Sequence, residues 1–418
     1  MRLIWLCNMV PTAVGEHIHS ARTGGTWIDH VLEGVQAAKS HTLRLYCPGE
    51  ITSGQLDDRT DYVLFEEKLS RSYHARLEDY FAGELRSFHP DVIHIWGTEF
   101  AHTLAMVNAA RKTGLSDRVV ISIQGLCGIY AQHYEEGVPR GVCRRYSLRD
   151  LLKRDNITCQ RRKFVQRGRL ETQALENVSH VIGRTDWDRA ITDQIHPGRV
   201  YHFCNETLRS PFYQDTWQYD KCIPHRIFVS SCSYPVKGFH YLLEAMPAIL
   251  QHYPDTTISV TGSSFLQTSL PKKLRQDYYH RYLSNLAAKN GLEGKIHFLG
   301  GLNADQMKRA YLDANVFALP STIENSPNSL GEAMLLGVPC VAADVGGVGN
   351  LMHPGEGFLY QSTAPYMLAS YIVQVFDMQE QAEKLGRKAR ARARITHDPE
   401  KNLSNLLAIY ESIREGGT

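Results

Sequence analysis

Short apolar runs recur along this chain, bounded by Gly, Pro, Asn or Asp and separated by segments long enough for a helix. In the first half they fall at 2–7, 43–47, 62–65, 92–96, 119–123, 181–183 and 200–203, and in the second half at 226–230, 257–261, 295–299, 316–319, 340–343 and 358–360. Several are apolar at successive positions. A strand with both faces apolar belongs in a parallel sheet covered by helices on each side. The intervening segments carry apolar residues three and four apart, as at Phe239, Leu242, Leu243 and Met246, which is the stripe of a helix lying on a sheet. Strand and helix in alternation predict right-handed βαβ units.

Thirteen strands are too many for one small sheet, and 418 residues exceed the size at which a single core stops growing. Two doubly wound domains are therefore expected. The rhythm breaks over 205–224, which holds Pro211, Trp217 and Pro224 and has no clear helical period. The expected division is a first domain at 1–205, a second domain at 206–395, and a last helix within 396–418 that either caps the second domain or crosses back to the first. In an open parallel sheet, ligands sit outside the carboxyl ends of the strands. Two such domains facing each other across a cleft would share one site there, so the residues just after strands are the candidates.

Composition narrows the class. No apolar run approaches the roughly 18 residues needed to span a bilayer. The nine cysteines are odd in number, scattered, and free of any CxxC pair. That predicts reduced, mostly buried thiols in a cytoplasmic protein, with neither a disulfide framework nor a zinc site. His17 and His19 have no carboxylate or thiol at ligand spacing, so no metal site is expected. Net charge is only +2, but between Arg140 and Arg169 eleven lysines and arginines face two aspartates. A solvated helical face is the plain reading of this run. Its functional reading is attraction to anionic lipid headgroups at the inner face of the plasma membrane, or to a pyrophosphate-linked lipid. Nucleic acid is not expected as a partner, because the run lacks interleaved aromatics apart from Tyr146 and Phe164 and no recognition motif accompanies it.

The segment from Val316 to Met334 is the most informative. A strand is expected to end at Pro320 and a helix to start near Pro327, with Ser326 as N-cap and Pro at the first helical position. The unpaired N–H groups of Asn328, Ser329 and Leu330 would then suit a phosphate. At about 100° per residue, Leu330, Ala333 and Met334 share the core face and Glu332 points away from it. Glu324 lies in the loop before the helix. The two carboxylates could thus hold hydroxyls on either side of a diphosphate.

This segment resembles the Glu-x7-Glu motif of retaining GT-B glycosyltransferases, the large fourth glycosyltransferase family, whose members include sucrose synthase and many bacterial polysaccharide enzymes. The likeness extends over the second half. Lys237-Gly238 resembles the turn whose lysine contacts the donor diphosphate, Thr261-Gly262 and Phe298-Leu299-Gly300 resemble the next two strand ends, and Asp344-Val345-Gly346-Gly347 resembles the Gly-Gly turn beside the donor. Gly24-Gly25-Thr26 is similar to the glycine turn after the first strand. The resemblance implies a GT-B fold of two Rossmann-like domains and metal-independent, cofactor-free transfer of a sugar from a UDP- or GDP-sugar, with retention, to a sugar or lipid-linked saccharide acceptor in surface polysaccharide or glycolipid synthesis. It implies Glu324 and Lys237 as the catalytic pair. The donor would be held by Glu332, Asn325, Ser326, Asn328, Ser329, Leu330, Gly25 and Gly262.

Two positions depart from the family pattern. An arginine usual five residues before the lysine is Cys232 here, and a histidine usual after the fifth strand is Gln124. Arg184, after the strand at 181–183, and Arg209, at the junction, are the expected substitutes for the missing cation. His94-Ile-Trp-Gly-Thr-Glu99 and Gln124-Gly-Leu126 resemble a bacterial subgroup, with His94, Glu99 and Gln124 on the acceptor side. The competing readings are a non-hydrolysing nucleotide-sugar 2-epimerase of the same fold, which would need no acceptor, and a catalytically inactive sugar-binding relative.

Overall fold

The computed structural model describes residues 1–19, 26–266, 269 and 274–416. The chain divides into two compact units. The first comprises residues 1–129, 164–209 and 397–418, and the second 130–163 and 210–396.

The first unit is built on an eight-stranded sheet: β1 (Arg2–Cys7), β2 (Thr42–Gly49), β3 (Thr52–Asp57), β4 (Thr60–Glu66), β5 (Val92–Trp96), β6 (Val119–Ser122), β7 (His180–Gly183) and β8 (Val200–Phe203), in the order β3-β4-β2-β1-β5-β6-β7-β8. All pairings are parallel except β3 with β4. β3 was not expected from the sequence. Its residues Thr-Ser-Gly-Gln-Leu-Asp carry one large apolar side chain, because it is an edge strand added by a tight hairpin.

Alternate residues of β1 enter opposite layers, as the pleat requires. Ile4 and Leu6 pack with Ile93, Ile95, Phe81 and Leu85. Leu3, Trp5 and Cys7 pack with Ile28 and Leu32 on the other face, where the helix Pro399–Gly416 adds Leu406, Ile409, Tyr410 and Ile413. The last helix is thus part of the first unit's core.

The second unit has six strands: β9 (Arg226–Val229), β10 (Thr257–Val260), β11 (Ile296–Phe298), β12 (Val316–Leu319), β13 (Cys340–Ala343) and β14 (Phe358–Tyr360). Their order is β11-β10-β9-β12-β13-β14 and every pairing is parallel. In each sheet the strand order reverses direction once, between β1 and β5 in the first and between β9 and β12 in the second. These reversals are the topological switch points at which open α/β sheets receive ligands.

A simple cut near residue 205 misplaces one segment. Residues 130–163 go with the second unit, for reasons visible in their contacts. A side chain at Gly137 would collide with Tyr241 and His240. Arg145 Nη1 donates to Tyr278 Oη at 3.0 Å, and the Tyr278 N–H donates to Asp150 Oδ2 at 2.8 Å. All nine cysteines are free, and Cys159 is the one that is not buried. Among the described residues, no helix is long and apolar enough to cross a membrane.

Candidate functional site

The switch point of the second unit is occupied by an ion pair. After β9 the chain passes through the turn Pro235–Lys237 and Gly238 into the helix Phe239–His252. After β12 it forms the loop that carries Glu324. Lys237 Nζ lies 2.6 Å from Glu324 Oε1, and Ser321 Oγ donates to the same oxygen at 2.8 Å. Glu324 is 6% exposed, whereas the Lys237 side chain is a quarter exposed. Burial works against the Lys237 charge, but the facing Glu324 carboxylate and Tyr234 outweigh it, so the ammonium is held above its ordinary range.

Two glycines fix where this carboxylate can be. Gly238 has φ +63°, and a Cβ on it would fall 1.7 Å from the Pro320 carbonyl oxygen. Gly346 has φ +54°, and a Cβ there would fall 1.9 Å from the carbonyl oxygen of Glu324. Only glycine allows both the left-handed backbone and the close approach. Backbone bonds complete the clamp: Thr322 N–H to Val236 O at 2.8 Å, and Gly347 N–H to Glu324 O at 3.0 Å.

The helix after the loop runs Asn328–Leu336, one residue later than expected. Pro327 is the N-cap, with ψ 112°, and no side chain caps the helix, so Ser326 does not act as the cap. The Pro327 carbonyl accepts from Leu330 N–H at 2.9 Å. Leu330 therefore leaves the set of open donors, and its side chain is fully buried. The first-turn N–H groups of Asn328 and Ser329 remain directed out of the helix end, as the first turn of any helix must leave them.

Glu332 was expected to face outward. It is 4% exposed, because this helix is buried from Leu330 through Leu336. Tyr311 accounts for part of that environment: its hydroxyl donates to Ser329 O at 2.9 Å and lies 3.4 Å from Glu332 Oε2. Asn325 is buried, and Ser326, Asn328 and Ser329 are half-buried. Gly262 follows β10, with φ +101° and its N–H bonded to Gly300 O at 2.9 Å. Cys232 is buried, and burial pushes its thiol up to about 12, so it supplies no charge where the resemblance places an arginine.

The first unit carries its own polar pair at its switch point. Asn8, just past β1, donates through Nδ2 to Glu99 Oε2, just past β5, at 2.5 Å. The Asn8 oxygen is 2.9 Å from His102 Nε2. His102 is fully buried, which drives its ring to about 3, so it is neutral and serves as the proton donor of that bond. Gly97 (φ +102°) leaves the room, since a Cβ there would strike both Glu99 and Asn8. Burial pushes the Glu99 carboxyl up to about 7, against the opposing pull of Asn8, Arg167 and Arg184.

Other predicted residues lie elsewhere. His94 is enclosed, bonded to Tyr410 Oη at 2.5 Å and Ser122 Oγ at 2.7 Å, and burial keeps it neutral. It is a core histidine and not an acceptor contact. Arg184 is nearly buried and pairs with Glu206, which also accepts from Gln124 Nε2 at 2.6 Å. Its Nη2 donates to Ile123 O at 2.8 Å. Its charge is thus spent on its own unit, which removes it as an open diphosphate cation. Arg209 is half-buried at the end of the first unit. Gly25 lies outside the described residues. Sequence reasoning missed Asn8, Ser321 and Tyr311. Asn8 was findable, since it is the first residue after β1, at a strand end where site residues are expected. Among the described residues, no group of three or more His, Cys, Asp or Glu could hold a metal ion.

Residues 224–392 match the family model described as "Glycosyl transferases group 1". An uncharacterized glycosyltransferase of Methanocaldococcus jannaschii is 33% identical over 122 residues, 29% of this chain and 27% of the relative. The chain spans about half or less of the length of the curated relatives it matches. Among solved structures, a sucrose-phosphate synthase from Thermosynechococcus elongatus superposes with a TM-score of 0.72 at 16% identity, covering 100% of both chains. Anabaena HepE, solved in complex with UDP-glucose, gives 0.69 at 17% identity, covering 99% of this chain and 100% of that one. The chain has the GT-B fold, and residues 224–392 of its second unit match the group 1 glycosyltransferase model.

Proposed function

We propose that the protein transfers a sugar, with retention and without a metal, from a nucleotide-sugar donor to a hydroxyl acceptor. The observation that carries this reading is the Lys237–Glu324 pair at the β9/β12 switch point. Both recorded bonds to Glu324 end on Oε1, which leaves Oε2 for a donor-sugar hydroxyl. Lys237 and the N–H groups of Asn328 and Ser329 supply the positive potential for the departing diphosphate. Glu332 takes the nucleoside ribose. With that potential fixed in the protein, the chemistry calls for no metal. The bond from the anomeric carbon to the phosphate oxygen breaks and a bond to the acceptor oxygen forms on the same face. The acceptor proton goes to the leaving phosphate.

UDP-glucose is the first donor to try, because HepE binds it. Incubation with UDP-[1-13C]glucose and a panel of sugar acceptors in excess EDTA is expected to give a new α-glycosidic signal by NMR. A β product would overturn retention, and loss of turnover restored only by a divalent cation would overturn metal independence.

On the acceptor side, the reading assigns Asn8 and Glu99 to an acceptor hydroxyl, with His102 holding Asn8 in place. Above pH 7 Glu99 is a carboxylate and a strong acceptor, and below it is protonated. Acceptor KM is expected to fall several-fold as pH rises through 7, and Glu99→Gln to raise KM and flatten that profile while donor KM stays the same. An unchanged profile in Glu99→Gln would remove Glu99 from the acceptor site.

A further inference from the structure

The helix Leu148–Lys153 is inside out. Its N-cap Ser147 and its Asp150 form a reciprocal capping box and are fully enclosed, and Asp150 also takes the Tyr278 N–H. Its leucines face water. Leu148 is 50% exposed, Leu151 59% and Leu152 80%, and neighbouring Tyr146 is 43% exposed. Among the described residues, four of the thirteen exposed large hydrophobics thus fall within seven positions of one another.

An ordinary amphipathic surface segment would bury the leucines and expose the aspartate. Here the capping box and the Tyr278 bond hold the helix the other way round. The apolar patch is ringed by cations, with Arg144, Arg145, Lys153 and Arg154 all exposed. The two nearby aspartates are engaged: Asp150 by Arg149, and Asp155 by Arg149 and Lys163. Apolar side chains amid uncompensated positive charge complement a surface that is apolar beneath and negative on top. An anionic lipid bilayer has that profile.

We propose that Tyr146, Leu148, Leu151 and Leu152 insert into an anionic membrane surface, with Arg144, Arg145, Lys153 and Arg154 engaging its headgroups. The sequence run from Arg140 to Arg169 suggested the charge alone. The leucines turn a diffuse attraction into a defined contact, and the inference is independent of the transfer chemistry.

The test is flotation of the full chain with vesicles of 30% phosphatidylglycerol in phosphatidylcholine, against pure phosphatidylcholine. The wild type is expected to float with the anionic vesicles and to be released by 0.5 M salt. Leu151→Glu/Leu152→Glu is expected to lose binding at least tenfold with an unchanged circular dichroism spectrum. Leu152→Ser, at the most exposed site, provides a milder variant if the double one misfolds. Arg144→Glu/Lys153→Glu is expected to weaken binding by about fivefold or more per position. Absence of wild-type flotation, or equal flotation by the leucine variants, overturns the proposal. So does a concentration-dependent dimer that the leucine variants dissolve, which would make the patch a contact between copies of this chain.

Discussion

Glu324→Gln is expected to lower kcat by about 10²–10³-fold, the scale seen when one preorganised electrostatic group is removed from a reacting centre. The replacement keeps the shape of the side chain and its bond from Ser321. It removes the charge that holds Lys237 and weakens the acceptor left for the sugar. Because Lys237 is a quarter exposed, its ammonium can turn to water, and the loss of stability should be small. Lys237→Ala is expected to be as inactive and also less stable. It strands the Glu324 carboxylate at 6% exposure, and breaking a buried pair from one side costs up to about 3–5 kcal/mol. Circular dichroism melts alongside kinetics separate the two: equal stability losses in both variants, or near-normal kcat in either, would be inconsistent with this assignment.

The second large effect comes from a position with no chemistry of its own. Gly346→Ala places a methyl group where the Glu324 carbonyl oxygen already sits, on a backbone at φ +54°. The strained conformation costs about 1–3 kcal/mol. The collision also displaces the loop that aims Glu324, and a shift on the order of 1 Å lowers catalysis by about 10²-fold. Gly238→Ala acts the same way through Pro320. Gly294→Ala is the control. It has φ +77° with nothing within 4 Å of the new Cβ, so it carries backbone strain alone and should leave kcat unchanged. If Gly346→Ala and Gly294→Ala behave alike, the clamp has no catalytic role.

These residues also mark how far the sequence could be read. Buried parallel strands announce themselves by apolar runs, and β1, β5, β12 and β13 lie where the runs do. β3 is nearly polar because an edge strand has little to bury. The helix start moved from Pro327 to Asn328 because Pro327 adopts an extended ψ and its carbonyl, with no side-chain cap, opens the helix.

Glu332 is a harder case. A helical wheel records which side of its own helix a residue takes, but not that Tyr311 from another helix covers that side. Arg184 reads as an open cation until Glu206, 22 positions later, is found against it. Residues 130–163 belong to the second unit through Gly137, Arg145 and Asp150, contacts that local composition does not encode. The same applies to the inverted helix Leu148–Lys153. The sequence shows the charge of this run but not which side its leucines take, which the exposure of Leu148, Leu151 and Leu152 and the burial of Asp150 reveal.

The Asn8–Glu99 pair also carries a consequence for stability. A carboxyl raised to about 7 in the fold keeps its proton after the unfolded chain, near about 4.3, has lost its own. Between those values the folded state binds more protons, so the Glu99 contribution to stability declines as pH rises and is lost above 7.

The central claim is that the second unit's switch point holds a nucleotide sugar through Lys237, Glu324 and Glu332. The most direct measurement is thermal unfolding across a panel of UDP- and GDP-sugars, in the wild type and in Glu332→Ala. A donor at about 100 times its Kd should stabilise the wild type by about 2.7 kcal/mol, and the variant should lose most of that shift. Stabilisation by no nucleotide sugar, or an equal shift in Glu332→Ala, would contradict the account.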